Sequence, residues 1–472
     1  MPSSSSAVAR PVSPPLALVK VGKVAQLVRQ ASKFGLEGVP DPTAVKADMD
    51  KVRAYLRQAI DTVHAKESPE RLRERGIEVL LGTASFITNT RLRIDMLDGT
   101  QDPQMIDAEH VLLCTGARPR IPDFVKASDA PFLTYERIFE LEELPEHLIV
   151  VGGGPLGCEM AQACCFRRLG SQVTIMARSI LPREDVDASD ALRAVFDDEG
   201  IALISEKACA LRKGQNGQGI EVEGDSRTSV AGSHVLFAVG SILGARLFES
   251  VSKTKPPPSE ALFPRVPILD RLNLSNAGID YEEDKGITVN EYLHTNIPHI
   301  YGAGDCIGGH QYTHYAGWQA VTAIRNMALP LHSKGFPSLI PNCTFTDPEV
   351  ASVGLGERDF LAQHPHGLIL KRKMQEVDRA ICENDGDHGF IKLLVNKHFH
   401  LLGATVVGPR AGELLGELTV CMHNDIKVTD LAKVMHAYPS FAFELQAMAA
   451  DLALEHVYDG FKGKLAERFK KV

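Results

Sequence analysis

The sequence predicts an α/β protein in which parallel-sheet units are followed by a separate α+β domain. Three observations predict it. The apolar run Leu148-Ile-Val-Val151 meets Gly152-x-Gly154-x-x-Gly157, continues into a helix-permissive stretch and reaches a second short run, Val173-Thr-Ile-Met176. Other strand-length runs alternate with helical periodicity up to Pro330. Beyond Pro330 the pattern turns to hairpin and helix. Strand, glycine turn, helix and strand in that order make a Rossmann-like unit, the context a dinucleotide fingerprint requires.

In order along the chain, residues 1–15 form a Ser/Pro tail without periodicity, expected to be disordered. From Leu16 to Phe34 apolar residues recur at helical spacing (Leu18, Val21, Val24, Ala25, Val28), and Gly35 stops the helix. Met49 to His64 reads as a second helix. Ile77–Leu80, Ala84–Thr88 and Arg91–Leu97 read as short strands, and the run from Glu109 to Gly116 closes that region. After the fingerprint come a helix from Ala188 to Glu199 and strands near Ile201–Ile204, Ile220–Glu223 and His234–Val239. The stretch Ser241–Pro264 contains Pro256-Pro-Pro and has no coherent period, so it reads as a surface insert. Thr295 to Asp305 is a buried strand ending in a Gly-flanked acid, and a helix spans Gly317 to Leu329. Phe390–Val395 and His400–Val407 form a hairpin, followed by helices at Glu413–His423 and Leu445–Val457.

The glycine turn carries the first chemistry. Gly152 permits the tight turn, Gly154 lets backbone approach a pyrophosphate and Gly157 lets the helix pack on its strand. Free N–H groups and the helix dipole favour the phosphates. At the end of the second strand an acid would accept the ribose 2′-hydroxyl of NAD, whereas an Arg accommodates a 2′-phosphate. The chain reads Ala177-Arg178-Ser179, which favours NADP over NAD. The alternative for Arg178 is a solvated surface residue. Formal net charge is −9, which argues against nucleic acid or an anionic membrane as partner. No apolar run approaches a membrane span. Nine cysteines lack Cys-x-x-C or Cys/His ligand spacing, so no metal is expected. Buried packing is expected for at least one of Cys164 and Cys165. The first 36 residues are Ser-rich, basic and free of acids, faintly like a transit peptide, which leaves the compartment open.

Four separated stretches resemble the flavin-dependent pyridine nucleotide–disulfide oxidoreductases, the family that includes dihydrolipoamide dehydrogenase and mercuric reductase. They are Cys114-Thr-Gly-Ala-Arg-Pro119, Gly152–Gly157, Thr295–Asp305 and Thr346-Asp-Pro-Glu-Val-Ala-Ser-Val-Gly354. The resemblance implies FAD and NADP as cofactors, with NAD as the second option, and a homodimer. It places Thr115, Gly116, Gly302, Gly304 and Asp305 at the flavin, with Asp305 accepting a ribityl hydroxyl. It places Gly152, Gly154, Gly157, Glu159, Arg178 and Gly240 at the nucleotide site. It divides the chain into a discontinuous, partial FAD-type domain (16–122 and 282–334), an NAD(P)-binding domain (123–281) carrying the insert 241–264, and a dimerisation domain (335–472).

Three departures from the family pattern stand out. No strand–GxGxxG–helix and no Cys-x4-Cys lie before Leu16, so flavin retention and thiol-dependent turnover are expected to be poor. The family's C-terminal acid–base motif reads His436-Ala-Tyr438-Pro439-Ser440-Phe-Ala-Phe443-Glu444, with a phenol where the proton-handling His belongs. Tyr438 and Glu444 are the catalytic candidates, although a phenol of pKa about 10 is a poor base near neutrality. The insert breaks a motif that reads continuously when Ala238-Val-Gly240 is joined to Arg265, so the insert and the N-terminal tail both read as gene-model errors. The expected function is hydride transfer from NADPH to flavin with an unnamed acceptor. The alternative, a catalytically inactive nucleotide-binding or dimerising relative, would be colourless when purified.

Overall fold

The computed structural model describes residues 13–38, 46–97, 99, 102–165, 168–214, 219–239 and 265–469. Most of the tail, the insert 241–264 and Gly240 lie outside the described residues.

The fingerprint strand His147–Val151 is central to a four-stranded parallel sheet, flanked by His234–Phe237 on one side and by Gln172–Met176, then Ala202–Ile204, on the other. Its residues alternate between two cores. Leu148 and Val150 face the fingerprint helix Pro155–Cys164 and the helix Val186–Asp198. Ile149 and Val151 join the apolar face of an antiparallel sheet made by Ala208–Lys213, Ile220–Gly224 and Ser229–Gly232. Burial on both faces is why the strand reads as an unbroken apolar run.

The helix Ser13–Gln30 starts ahead of Leu16 and lies against the fingerprint helix, with Ala17, Leu18 and Val19 buried in the shared core. Its expected apolar face is only half used: Val24 remains 45% exposed and Val28 36%. A further helical turn, Ala31–Phe34, ends at Gly35 with φ +75°. Met49–His64 is helical, its N-terminus capped by Asp48, which accepts from the Lys51 amide. Ile77–Leu80 is not a strand. The run is apolar, but a strand needs a hydrogen-bonded neighbour, and the three-stranded antiparallel sheet starts only at Gly82 (Gly82–Phe86, Arg91–Met96, Gln104–Asp107). Beside it, Val111–Leu113 and Ile300–Gly302 form a two-stranded parallel pair. Arg265–Pro267 pairs antiparallel with Ala117–Pro119.

The C-terminal sheet has five antiparallel strands in the order Asn342–Thr344, Glu349–Gly354, Leu401–Gly408, Phe390–Val395 and Leu368–Lys373. The helix Ala411–His423 packs on it, and Phe441–Phe469 starts four residues ahead of its expected beginning and runs well past Val457. The helix expected from Gly317 begins at Thr313 and ends at Ala328.

Two buried ionic networks tie the parallel-sheet unit to this C-terminal part. Arg168, 2% exposed, holds Glu199 through Nε at 2.8 Å and Nη2 at 2.5 Å, and reaches Asp347 at 3.3 Å. Lys23 also pairs with Asp347, at 2.9 Å. At the other seam Lys392, fully buried, places its ammonium 2.8 Å from Asp185, 2.7 Å from Asp187 and 2.8 Å from Glu357. Three donors meet three carboxylates, so the cation is fully solvated by protein. Among the described residues no helix is long and apolar enough to cross a membrane.

Candidate functional site

The strand His147–Val151 ends in Gly152 at φ +119°, where a Cβ would come within 2.5 Å of the Ala238 carbonyl. Only glycine tolerates both the conformation and the approach. At Gly157 a Cβ would stand 2.1 Å from the Gly152 carbonyl, so the helix rests directly on the turn. Gly154 is the N-cap of the fingerprint helix, Pro155 is its first residue, and open space faces the Gly154 Cα. A ten-residue helix therefore presents its free N–H groups to an open cradle, a ready anion site.

Val151 is in register with Met176 on the next strand, so Gly152 and Arg178 leave the same edge of the sheet. The Arg178 side chain is 55% exposed, with Asp225 at 3.9 Å as its ionic neighbour. Such a loose contact leaves the guanidinium free to meet a ligand. Glu159, further along the fingerprint helix, is 7% exposed and accepts the Phe345 amide at 2.9 Å. Burial pushes its carboxyl up to about 7, against the lowering effect of that amide.

The second group of candidates gathers at the end of the parallel pair. Leu113 is in register with Gly302, so Thr115-Gly116 and Gly304-Asp305 emerge side by side. Gly116 stands at φ +70° with nothing within 4 Å of a Cβ position. The Thr115 hydroxyl is buried, with the Cys306 thiol as its neighbour. The Gly304 amide donates to the Gln319 side chain at 2.9 Å, and the Cys306 thiol donates to the Leu113 carbonyl at 3.3 Å. Asp305 is paired through Oδ2 with Arg265 at 3.0 Å. A bare backbone at Gly116 and a carboxylate engaged through only one oxygen fit a ligand carrying several hydroxyls, which is the character of a flavin's ribityl chain.

The C-terminal candidates are less united. Tyr438 and Glu444 line one pocket of about 270 Å³, together with Arg372, Asp378, Phe443 and Asp451. Yet the Tyr438 hydroxyl donates to Asp378 at 2.8 Å, while Glu444 faces Arg372 at 3.2 Å. Phe443 packs edge-on against the Tyr438 ring at 5.3 Å, and the phenol's partner is Asp378, on the helix Asp378–Glu383, rather than Glu444. The Asp378 carboxylate holds the Tyr438 phenol above its ordinary value, and burial raises the Glu444 carboxyl.

All nine cysteines are free thiols. Cys164 and Cys165 are both buried, and Cys165 donates to Glu199 at 3.3 Å. Cys114, next to Thr115, is exposed, and the partial burial of its sulfur with Cys306 nearby raises its pKa. Arg265, Asp378 and the Arg168 network escaped sequence reasoning as site partners. Only Arg265 carried a signal, as the displaced arginine of a motif split by the insert.

Comparison with known proteins agrees with this geometry. The chain matches the pyridine nucleotide-disulphide oxidoreductase model over residues 21–255 and 267–320, and the dimerisation domain of the same group over residues 340–449. It is 26% identical over 448 residues to a dihydrolipoyl dehydrogenase of Bacillus subtilis, covering 93% of this chain and 90% of that protein. It is 32% identical over 364 residues to a mercuric reductase of Shewanella putrefaciens, covering 77% of this chain and 60% of that protein. Among solved structures, LpdA of Mycobacterium tuberculosis superposes with a TM-score of 0.80 at 26% identity, covering 94% and 91% of the two chains. The flavoprotein disulfide reductase RclA of Escherichia coli shares the fold, with a TM-score of 0.76 at 22% identity and coverage of 93% and 90%. With most of its length matched by the family's models, the chain belongs to the flavin-dependent pyridine nucleotide–disulfide oxidoreductases.

Proposed function

We propose that this protein takes reducing equivalents from NADPH and delivers them through FAD to an external acceptor. The observation that carries this reading is the open cradle at Gly152–Gly157 with Arg178 on the same sheet edge. The fingerprint helix would hold the pyrophosphate, and Arg178 would meet the 2′-phosphate that separates NADPH from NADH. Thr115, Gly116 and Asp305 would hold the ribityl part of FAD, with Gly302 and Gly304 bringing bare backbone close. FAD, when bound, would supply a two-electron acceptor for the nicotinamide hydride. Tyr438, hydrogen-bonded to Asp378, would deliver a proton as a phenol rather than remove one as a base. Glu444 would act through Arg372 to set the charge of that pocket. The dimerisation-domain match supports a homodimer.

Calorimetry with NADPH and NADH tests the nucleotide assignment. A charge-assisted contact to phosphate contributes about 1.5–3 kcal/mol. Arg178→Ala should therefore weaken NADPH binding roughly ten- to a hundredfold and leave NADH nearly unchanged. Wild-type protein that binds NADH at least as tightly as NADPH refutes the assignment.

A further inference from the structure

Asp305 does not wait for a ligand alone. Its side chain is 13% exposed, and Oδ2 is engaged by Nη1 of Arg265 at 3.0 Å. Arg265 is itself held from several sides. Its guanidinium lies over the Tyr135 ring at 4.8 Å from the centroid. Its amide donates to the Gln311 side chain at 3.1 Å, and its carbonyl accepts from the same side chain at 3.3 Å. Its strand pairs with Ala117–Pro119, the continuation of the Thr115-Gly116 turn.

A carboxylate on a short side chain can rotate, and each orientation presents a different oxygen to a ligand. A guanidinium fixed by stacking, backbone pairing and a paired amide removes that freedom. We propose that Arg265 is a positioning residue for flavin: it holds Asp305 through Oδ2 so that Oδ1 is set to accept a ribityl hydroxyl. This rests on the flavin reading of the site. Arg265 acts through Asp305, and need not touch the cofactor.

The test uses the full chain, titrated with FAD and followed by quenching of flavin fluorescence. Five proteins are compared: wild type, Arg265→Met, Arg265→Lys, Asp305→Asn and the Arg265→Met/Asp305→Asn double variant. Arg265→Met should weaken FAD binding about tenfold or more. The double variant should bind no worse than Asp305→Asn by more than about twofold, because the arginine acts only through that carboxylate. Arg265→Lys keeps the charge but not the stacked fork, and should recover part of the loss. NADPH binding at the Gly152 cradle, unchanged in every variant, reports that the fold survives. If Arg265→Met fails to fold, Arg265→Lys carries the test, with a several-fold loss expected and no loss refuting. Equal or tighter FAD binding by Arg265→Met overturns the proposal and leaves the flavin reading intact, as do additive losses in the double variant. Wild-type protein that quenches no flavin at any accessible concentration overturns both.

Discussion

Replacing Glu159 by Gln removes a titratable group that the fold has taken out of water, while keeping an acceptor for the Phe345 amide. The side chain is 7% exposed, and its carboxyl is pushed up to about 7 from an ordinary 4.5. Burial is the dominant cause, and one backbone amide opposes it. A group whose folded pKa lies above its unfolded value binds its proton more tightly in the native state. Wild-type stability should therefore fall as pH rises from about 4.5 to about 7, and level off above that. Two and a half units at about 1.36 kcal/mol each set a ceiling of about 3 kcal/mol. Glu159→Gln carries no such penalty. Its advantage over wild type should be near zero at about pH 4 and approach that ceiling at about pH 8. Urea unfolding of both proteins at the two pH values reads the difference directly, since the rest of the chain titrates identically. A difference that does not change with pH, or a variant weaker than wild type at the higher pH, refutes the argument that burial dominates at Glu159.

The two ionic seams give further tests. Arg168→Ala leaves Glu199 buried without its bidentate partner and should destabilise the chain by about 3–5 kcal/mol, read as a lowered urea midpoint. An unchanged midpoint would show that Glu199 finds other compensation. Lys392→Met, close in volume, should leave three carboxylates repelling one another. Its melting temperature should fall well below wild type, with Lys371 still pairing Asp187 at 2.6 Å but no ammonium left between Asp185 and Glu357. An unchanged melting temperature would contradict that origin.

The nucleotide cradle was legible because its requirements are local. Strand, turn and helix are contiguous, and each glycine answers to a neighbour within a few residues or to the strand alongside. Asp305 and Thr115 were legible only through resemblance, since the register that brings them together joins segments nearly two hundred residues apart. Ile77–Leu80 misled because apolar character does not supply a pairing edge. The strands Asn342–Thr344 and Glu349–Gly354 went unread as strands, although the second lies inside the Thr346–Gly354 motif. Tyr438 and Asp378 are separated by 60 residues and meet only because the loop ahead of Phe441–Phe469 and the helix Asp378–Glu383 line one pocket, a fact of packing that spacing does not encode. In the helix Ser13–Gln30 the period was right, but which part of the apolar stripe would be covered depended on where the fingerprint helix lay.

The Lys392 seam has a consequence of another kind. The carboxylate oxygens of Asp185, Asp187 and Glu357 lie within 4.8 Å of one another, close enough to share a divalent ion, and the lysine ammonium already stands among them. A cation tethered to the chain has an effective concentration that no free ion in solution matches, and it cannot be stripped by a chelator or exchanged by a competitor. The junction between the parallel-sheet unit and the C-terminal sheet thus carries its own permanent counterion. The lysine supplies at this junction the neutralising charge that a bound cation would otherwise have to bring.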